Sequence, residues 1–134
     1  MDRLTNEAAR RLIEGALACL LDPEQDAEAL GRFFTPDYIQ NVDGKQLDYK
    51  GFIDHARALK NTLRGGHATI LKLIVEGSTI ADIHVVEAEK TDGSRIKARV
   101  IAFYTVRDGR IAKVDELTHL LEGRKEDHDL GSRT

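Results

Sequence analysis

Four apolar, β-branched runs follow one another from His67 to Leu121: His67–Glu76, Thr79–Lys90, Arg95–Val106 and Arg110–Leu121, broken at Gly77-Ser78, Asp92-Gly93 and Asp108-Gly109. A parallel strand pair needs a crossover of about a dozen residues or more, and none of these breaks has room for one. The spacing therefore predicts an antiparallel meander of four long strands.

The last pair is the most informative. Asp-Gly between strand-like runs is a strong hairpin signal, because glycine accepts the positive φ of a tight connection. Side chains alternate along a strand, so Ala112, Val114, Glu116, Thr118 and Leu120 share one face, and Ile111, Lys113, Asp115, Leu117 and His119 the other. Two registers are open. A three-residue loop with Gly109 in a bulge pairs Val106 with Arg110 and sets Glu116 beside Val100, Ala102 and Tyr104. A two-residue loop slips the pairing by one and sets Glu116 beside Arg99, Ile101 and Phe103. The bulged version is favoured, because a basic residue after Asp-Gly suits it. Either way both faces carry apolar residues. One face is expected under this chain's own helices, and the other against a second subunit in a homodimer, with Ile101, Phe103 and Leu117 at the contact.

The first half reads as helices around one short strand. From Thr5 to Leu21 the columns Leu12/Ala16/Leu20 and Ile13/Leu17/Leu21 make an amphipathic stripe, with Thr5 or Asn6 as cap. Asp22-Pro23-Glu24-Gln25 reads as a second helix start, carrying Ala27, Leu30, Phe33 and Phe34 and stopping before Thr35-Pro36. Asp37–Val42 is a short strand ended by Asp43-Gly44, and Gly51–Leu63 returns to helical spacing with Gly65-Gly66 as its cap. The expected fold class is α+β: three N-terminal helices on a strongly curved antiparallel sheet, in the order α-α-β-α-β-β-β-β.

Composition narrows the partners. A 134-residue chain that is 41% apolar and 32% charged reads as a soluble single domain, expected over residues 1–121 with a polar tail over 122–134. A net charge of −3 with both signs interspersed lacks the basic footprint of a nucleic-acid binder. No apolar run approaches the roughly 18 residues of a membrane span, and Met1–Glu7 is too polar to open a signal peptide, so the expectation is a cytoplasmic protein with no membrane partner. A lone Cys19 can make no internal disulfide and argues against a cysteine metal site.

Three segments carry a family resemblance. Phe34-Thr35-Pro36-Asp37-Tyr38-Ile39-Gln40-Asn41, Tyr49-Lys50-Gly51-Phe52-Ile53 and Val106-Arg107-Asp108-Gly109-Arg110-Ile111 resemble the nuclear transport factor 2-like superfamily, and its SnoaL-like branch in particular, the group of ketosteroid isomerase and polyketide cyclases. The element order is similar over residues 5 to 121. The resemblance implies a cone-shaped domain with a hydrophobic pocket and no cofactor. In SnoaL-like cyclases a last-strand aspartate and a first-strand histidine are implicated in proton transfer; here those positions fall on Glu116 and Asn41. Glutamate keeps the carboxylate, whereas asparagine removes a titratable group.

Glu116 is the leading candidate. A carboxylate in an apolar cavity loses solvation of its charged form, and its pKa rises toward the range useful for a general base. The plain alternative is a cross-strand ion pair with Arg99 or Lys97. Tyr104, Tyr38 and Tyr49 are candidate phenol donors to an oxyanion, Tyr104 first because it shares Glu116's face in the favoured register; core packing is the ordinary role of such tyrosines. Asn41, His84, Val100, Ala102, Val114 and Thr118 complete the expected pocket. Asp82 and Glu87 bracket His84 with alternate facing, so spacing gives no metal triad, and a hydrogen-bonded core histidine is the plainer reading of His84. His55 is placed at a pocket rim, and His67 and His128 at the surface. With no phosphate loop, nucleophile elbow or paired cysteine, two functions stay open. One is a cofactor-independent isomerase, dehydratase or cyclase acting on a small apolar carbonyl compound. The other is a non-catalytic ligand-binding or dimerisation module.

Overall fold

The computed structural model describes residues 4–123. Helix α1 (Asn6–Leu21) begins where Thr5 accepts a hydrogen bond from the Ala8 amide at 3.0 Å, and it buries Ala9, Ile13 and Ala16. Its C-terminal end is held from outside. The ammonium of Lys60, on helix α2 (Tyr49–Thr62), donates to the carbonyls of Cys19 and Asp22, a cation at the negative end of the helix dipole.

The expected second helix is shorter and of another kind. Asp22 does accept from the Glu24 amide (2.9 Å) and from Gln25 Nε2 (3.1 Å), but this closes a single turn; a 3-10 helix follows at Ala27–Arg32, and Phe34 already belongs to strand β1 (Phe34–Val42). Pro36 thus lies inside a strand. It is tolerated because β1 slips register between Phe34 and Ile39, where the missing N–H interrupts no ladder bond. A three-residue strand β2 (Lys45–Leu47), which local spacing does not announce, returns from the Asp43-Gly44 turn. Helix α2 starts two residues earlier than expected, since Asp48 caps it by accepting from the Gly51 amide at 2.8 Å. Gly65 and Gly66 are no helix cap. Leu63 is already extended, and both glycines sit in β3 (Leu63–Glu76), where a Cβ on Gly66 would come within 3.0 Å of Ala88.

Strands β4 (Thr79–Lys90), β5 (Arg95–Arg107) and β6 (Arg110–Glu122) complete a six-stranded sheet ordered β2-β1-β6-β5-β4-β3. The meander is antiparallel as predicted, but β1 joins it parallel to β6, so the sheet is not wholly antiparallel. The helices cover one face, where Ile13, Leu30, Phe52, Ile80, Ile96 and Ile111 are almost fully buried. That core is the main stabilising term, each such side chain contributing about 1.5–3 kcal/mol. Among the described residues no helix is long and apolar enough to cross a membrane. Most of the expected tail, from residue 124 on, lies outside the described residues, and so does His128.

The hairpin uses neither of the two simple registers. Its loop is the two-residue kind: Arg107 pairs with Arg110 and Val106 with Ile111, with Asp108 (φ 53°) and Gly109 (φ 79°) both left-handed. One extra residue then enters β6 at Ala112, because Thr105 already pairs with Lys113. This bulge turns Ile111 inward with Val114, against the expected grouping of Ile111 with Lys113, and beyond it Ala102 faces Glu116. Glu116 thereby reaches the face that the three-residue loop would have given it.

Candidate active site

Between the helices and the covered face of the sheet lies a cavity of about 90 Å³, walled mostly by apolar side chains. Phe34, Tyr38 and Phe52 pack together along one side with ring centroids 4.6–4.8 Å apart, Tyr38 edge to face with both phenylalanines and these two tilted against each other. The space takes several water molecules or one small organic molecule, since about 10–15 Å³ suffices for one water on this measure.

Strand alternation sends a set of polar groups into this apolar space. On β1, Tyr38, Gln40 and Val42 are buried; on β4, Ile80, Asp82, His84 and Val86. A buried polar group without a partner costs roughly 1–3 kcal/mol, and these groups satisfy one another. The Tyr104 hydroxyl donates to Asp82 Oδ1 at 2.9 Å, and Asp82 Oδ2 lies 2.9 Å from His84 Nδ1. The Tyr38 hydroxyl donates to Gln40 Oε1 at 2.9 Å, and Gln40 Nε2 donates to Glu116 Oε1 at 3.3 Å. Burial pushes both tyrosines well above the usual phenol range; repulsion from Glu116 at Tyr38 and from Asp82 at Tyr104 adds to the rise. Both remain neutral hydroxyls at ordinary pH.

Glu116 is the pivot. Desolvation first, and then the charges of Asp43 and Asp82, raise its pKa to about 8. Asp43 is near because the β1–β2 turn folds onto β6, its amide donating to the Glu116 carbonyl at 3.1 Å and its carboxylate accepting from the Thr118 amide at 2.7 Å. Neither Arg99 nor Lys97 pairs with Glu116: Arg99 stands opposite His119, and Lys97 opposite Glu122.

Of the expected pocket, Tyr38, His84, Val100, Tyr104, Val114, Glu116 and Thr118 border the cavity. Asn41, Tyr49 and Ala102 do not. Asn41 cannot share a face with Tyr38 three residues away on a strand; it turns outward and donates to Asp115 at 2.8 Å, and Gln40 takes the inward position. Tyr49 lays its hydroxyl over Gly31, so close that a Cβ there would meet it at 3.2 Å. Ala102 is buried between Asp82 and Glu116, a register partner of both, without bordering the cavity. His55 is no rim residue; it is 3% exposed and borders the cavity from α2.

Asp82 and Gln40 belong to the site although the sequence pattern did not single them out for it. Both carried a signal: Asp82 lies two residues before His84, on the face marked as core by Ile80 and Val86, whereas Glu87 falls on the other face and approaches Arg95 at 3.7 Å. Gln40 likewise alternates with the buried Tyr38 and Val42. Among the described residues no group of three or more metal-ligating side chains converges.

The SnoaL-like domain family matches residues 9–114. An uncharacterised protein of Schizosaccharomyces pombe is 41% identical over 111 residues, spanning 83% of this chain and 85% of its own. Among solved structures, TsrD from Streptomyces laurentii superposes with a TM-score of 0.73 at 19% identity, covering 96% of this chain and 98% of that one. AclR from Streptomyces galilaeus, a putative hydroxylase, superposes with a TM-score of 0.71 at 12% identity, covering 96% and 87%.

Proposed function

Because the chain belongs to the SnoaL-like domain family, we propose that it is a cofactor-independent acid–base enzyme that moves a proton on a small, apolar carbonyl compound, as an isomerase, dehydratase or cyclase does. Glu116 is a proton-transferring group of the reaction. The observation that carries this reading is the setting of its carboxyl, which borders an apolar cavity, is held near neutral transfer range, and has one oxygen engaged by Gln40. Tyr104 and Tyr38 give their hydroxyl hydrogens to Asp82 and Gln40, so they hold the cluster in place instead of reaching for an oxyanion. A cavity of about 90 Å³ limits the substrate to a small molecule.

The test uses cyclopentanone and butanone as probes, with loss of their α-proton NMR signals followed in D₂O near neutrality. The reading expects exchange catalysed by the native chain and lost in Glu116→Gln. Binding of the ketones without exchange would instead make the chain a non-catalytic ligand-binding module.

The working unit is a homodimer. The face of the sheet away from the helices carries Ile74, Ile101, Phe103 and Leu117, each 49–66% exposed, beside the adjacent Lys113 and Asp115, a pair of opposite charges that a two-fold copy can complement.

A further inference from the structure

We propose that His84, held by Asp82, is the base that works opposite Glu116, an assignment that rests on the acid–base reading above. His84 and Asp82 lie two residues apart on β4, and both side chains are shut off from solvent, at 3% and 0% exposure. Asp82 spends one carboxylate oxygen on the Tyr104 hydroxyl and the other on His84 Nδ1. A carboxylate only accepts, so Nδ1 carries the hydrogen, and in the neutral form of the ring the lone pair is then on Nε2. The ring borders the cavity, with its Nδ1 committed to Asp82. A ring nitrogen at the wall of an apolar cavity, on an imidazole whose other nitrogen is anchored by a carboxylate, is suited to taking a proton.

Glu116 stands across the cavity floor on β6. One strand, β5, separates it from β4, so the two backbones run roughly 10 Å apart, leaving width for a small molecule between the side chains. In the step, His84 Nε2 takes the proton from the carbon next to the carbonyl. The C–H pair forms the C=C bond of the enol, while the carbonyl oxygen receives the proton of the neutral Glu116 carboxyl. Return of the His84 proton to the same or the conjugated carbon, and of the oxygen's proton to Glu116, restores both groups. The other titratable groups facing the cavity are Tyr38 from β1, His55 from α2 and Tyr104 from β5; α1 contributes only apolar residues to the lining.

The experiment combines ¹⁵N NMR of the His84 ring with ketone exchange in three variants. In the native chain the ring is expected neutral, protonated at Nδ1 and bare at Nε2; an imidazolium or the Nε2–H form at pH 7 would overturn the proposal. Asp82→Asn preserves shape but presents an amide N–H to Nδ1, moving the hydrogen to Nε2. The expected outcome is that altered ¹⁵N pattern with an exchange rate about 100-fold lower and an unchanged ketone Kd. His84→Gln should lose exchange to the same degree while still binding ketone. Exchange lost in Glu116→Gln but kept in Asp82→Asn and His84→Gln sinks the dyad and leaves the acid–base reading standing. No exchange in the native chain removes both.

Discussion

The Tyr104 hydroxyl reaches Asp82 at 2.9 Å although the two are not register partners: Tyr104 stands opposite Ile80, and Asp82 opposite Ala102. The bond runs diagonally across the β4–β5 pair, two residues off, within reach of a long aromatic side chain.

Tyr104→Phe removes that donor and leaves Asp82 Oδ1 buried without it. Stability should fall by about 1–2 kcal/mol in urea unfolding, with the slope unchanged. Loss of less than a few tenths of a kcal/mol would mean that water replaces the hydroxyl.

The raised pKa of Glu116 makes stability depend on pH. In the folded chain the group keeps its proton up to about pH 8, whereas the unfolded chain releases it near 4.5. The native state therefore holds more protons between those values. The contribution of Glu116 is complete below about pH 4.5 and declines as pH rises through 8. Glu116→Gln should flatten this part of the curve and be more stable than the native chain at pH 8; equal slopes for the two proteins from pH 5 to 8 would contradict it.

Gly109 has φ +79° in the hairpin turn, whereas Gly65 in β3 has ordinary backbone and open space where a Cβ would stand. Gly109→Ala should cost about 1 kcal/mol or more, because an L side chain is strained there. Gly65→Ala should be neutral or stabilising by up to about 1 kcal/mol, through the unfolded chain. Thermal melts of the two variants side by side give the comparison.

Phe103 is 56% exposed at the centre of the uncovered sheet face. Sedimentation velocity should find the native chain dimeric and Phe103→Lys monomeric, with circular dichroism unchanged. A native chain that sediments as a monomer at tens of micromolar would remove the dimer proposal.

Element type was legible in the sequence wherever periodicity repeats over several turns or pleats. The α1 stripe, the α2 stripe and the four-strand meander all follow from local apolar spacing, because each residue's side is set by its neighbours in the chain. The same alternation also places Tyr38, Gln40 and Val42 on one face of β1, and Ile80, Asp82, His84 and Val86 on one face of β4. What the tertiary structure alone decided is non-local. The Ala112 bulge arises because Ile111 and Val114 must both be buried, which a regular strand forbids. The parallel joining of β1 to β6 brings Gln40 to Glu116, a contact between residues 76 positions apart. The setting of Glu116 depends equally on Asp43 folding in from the β1–β2 turn. A sequence dictates which groups are available and which way each points along its own element; which of them share one desolvated space is fixed only when the elements pack.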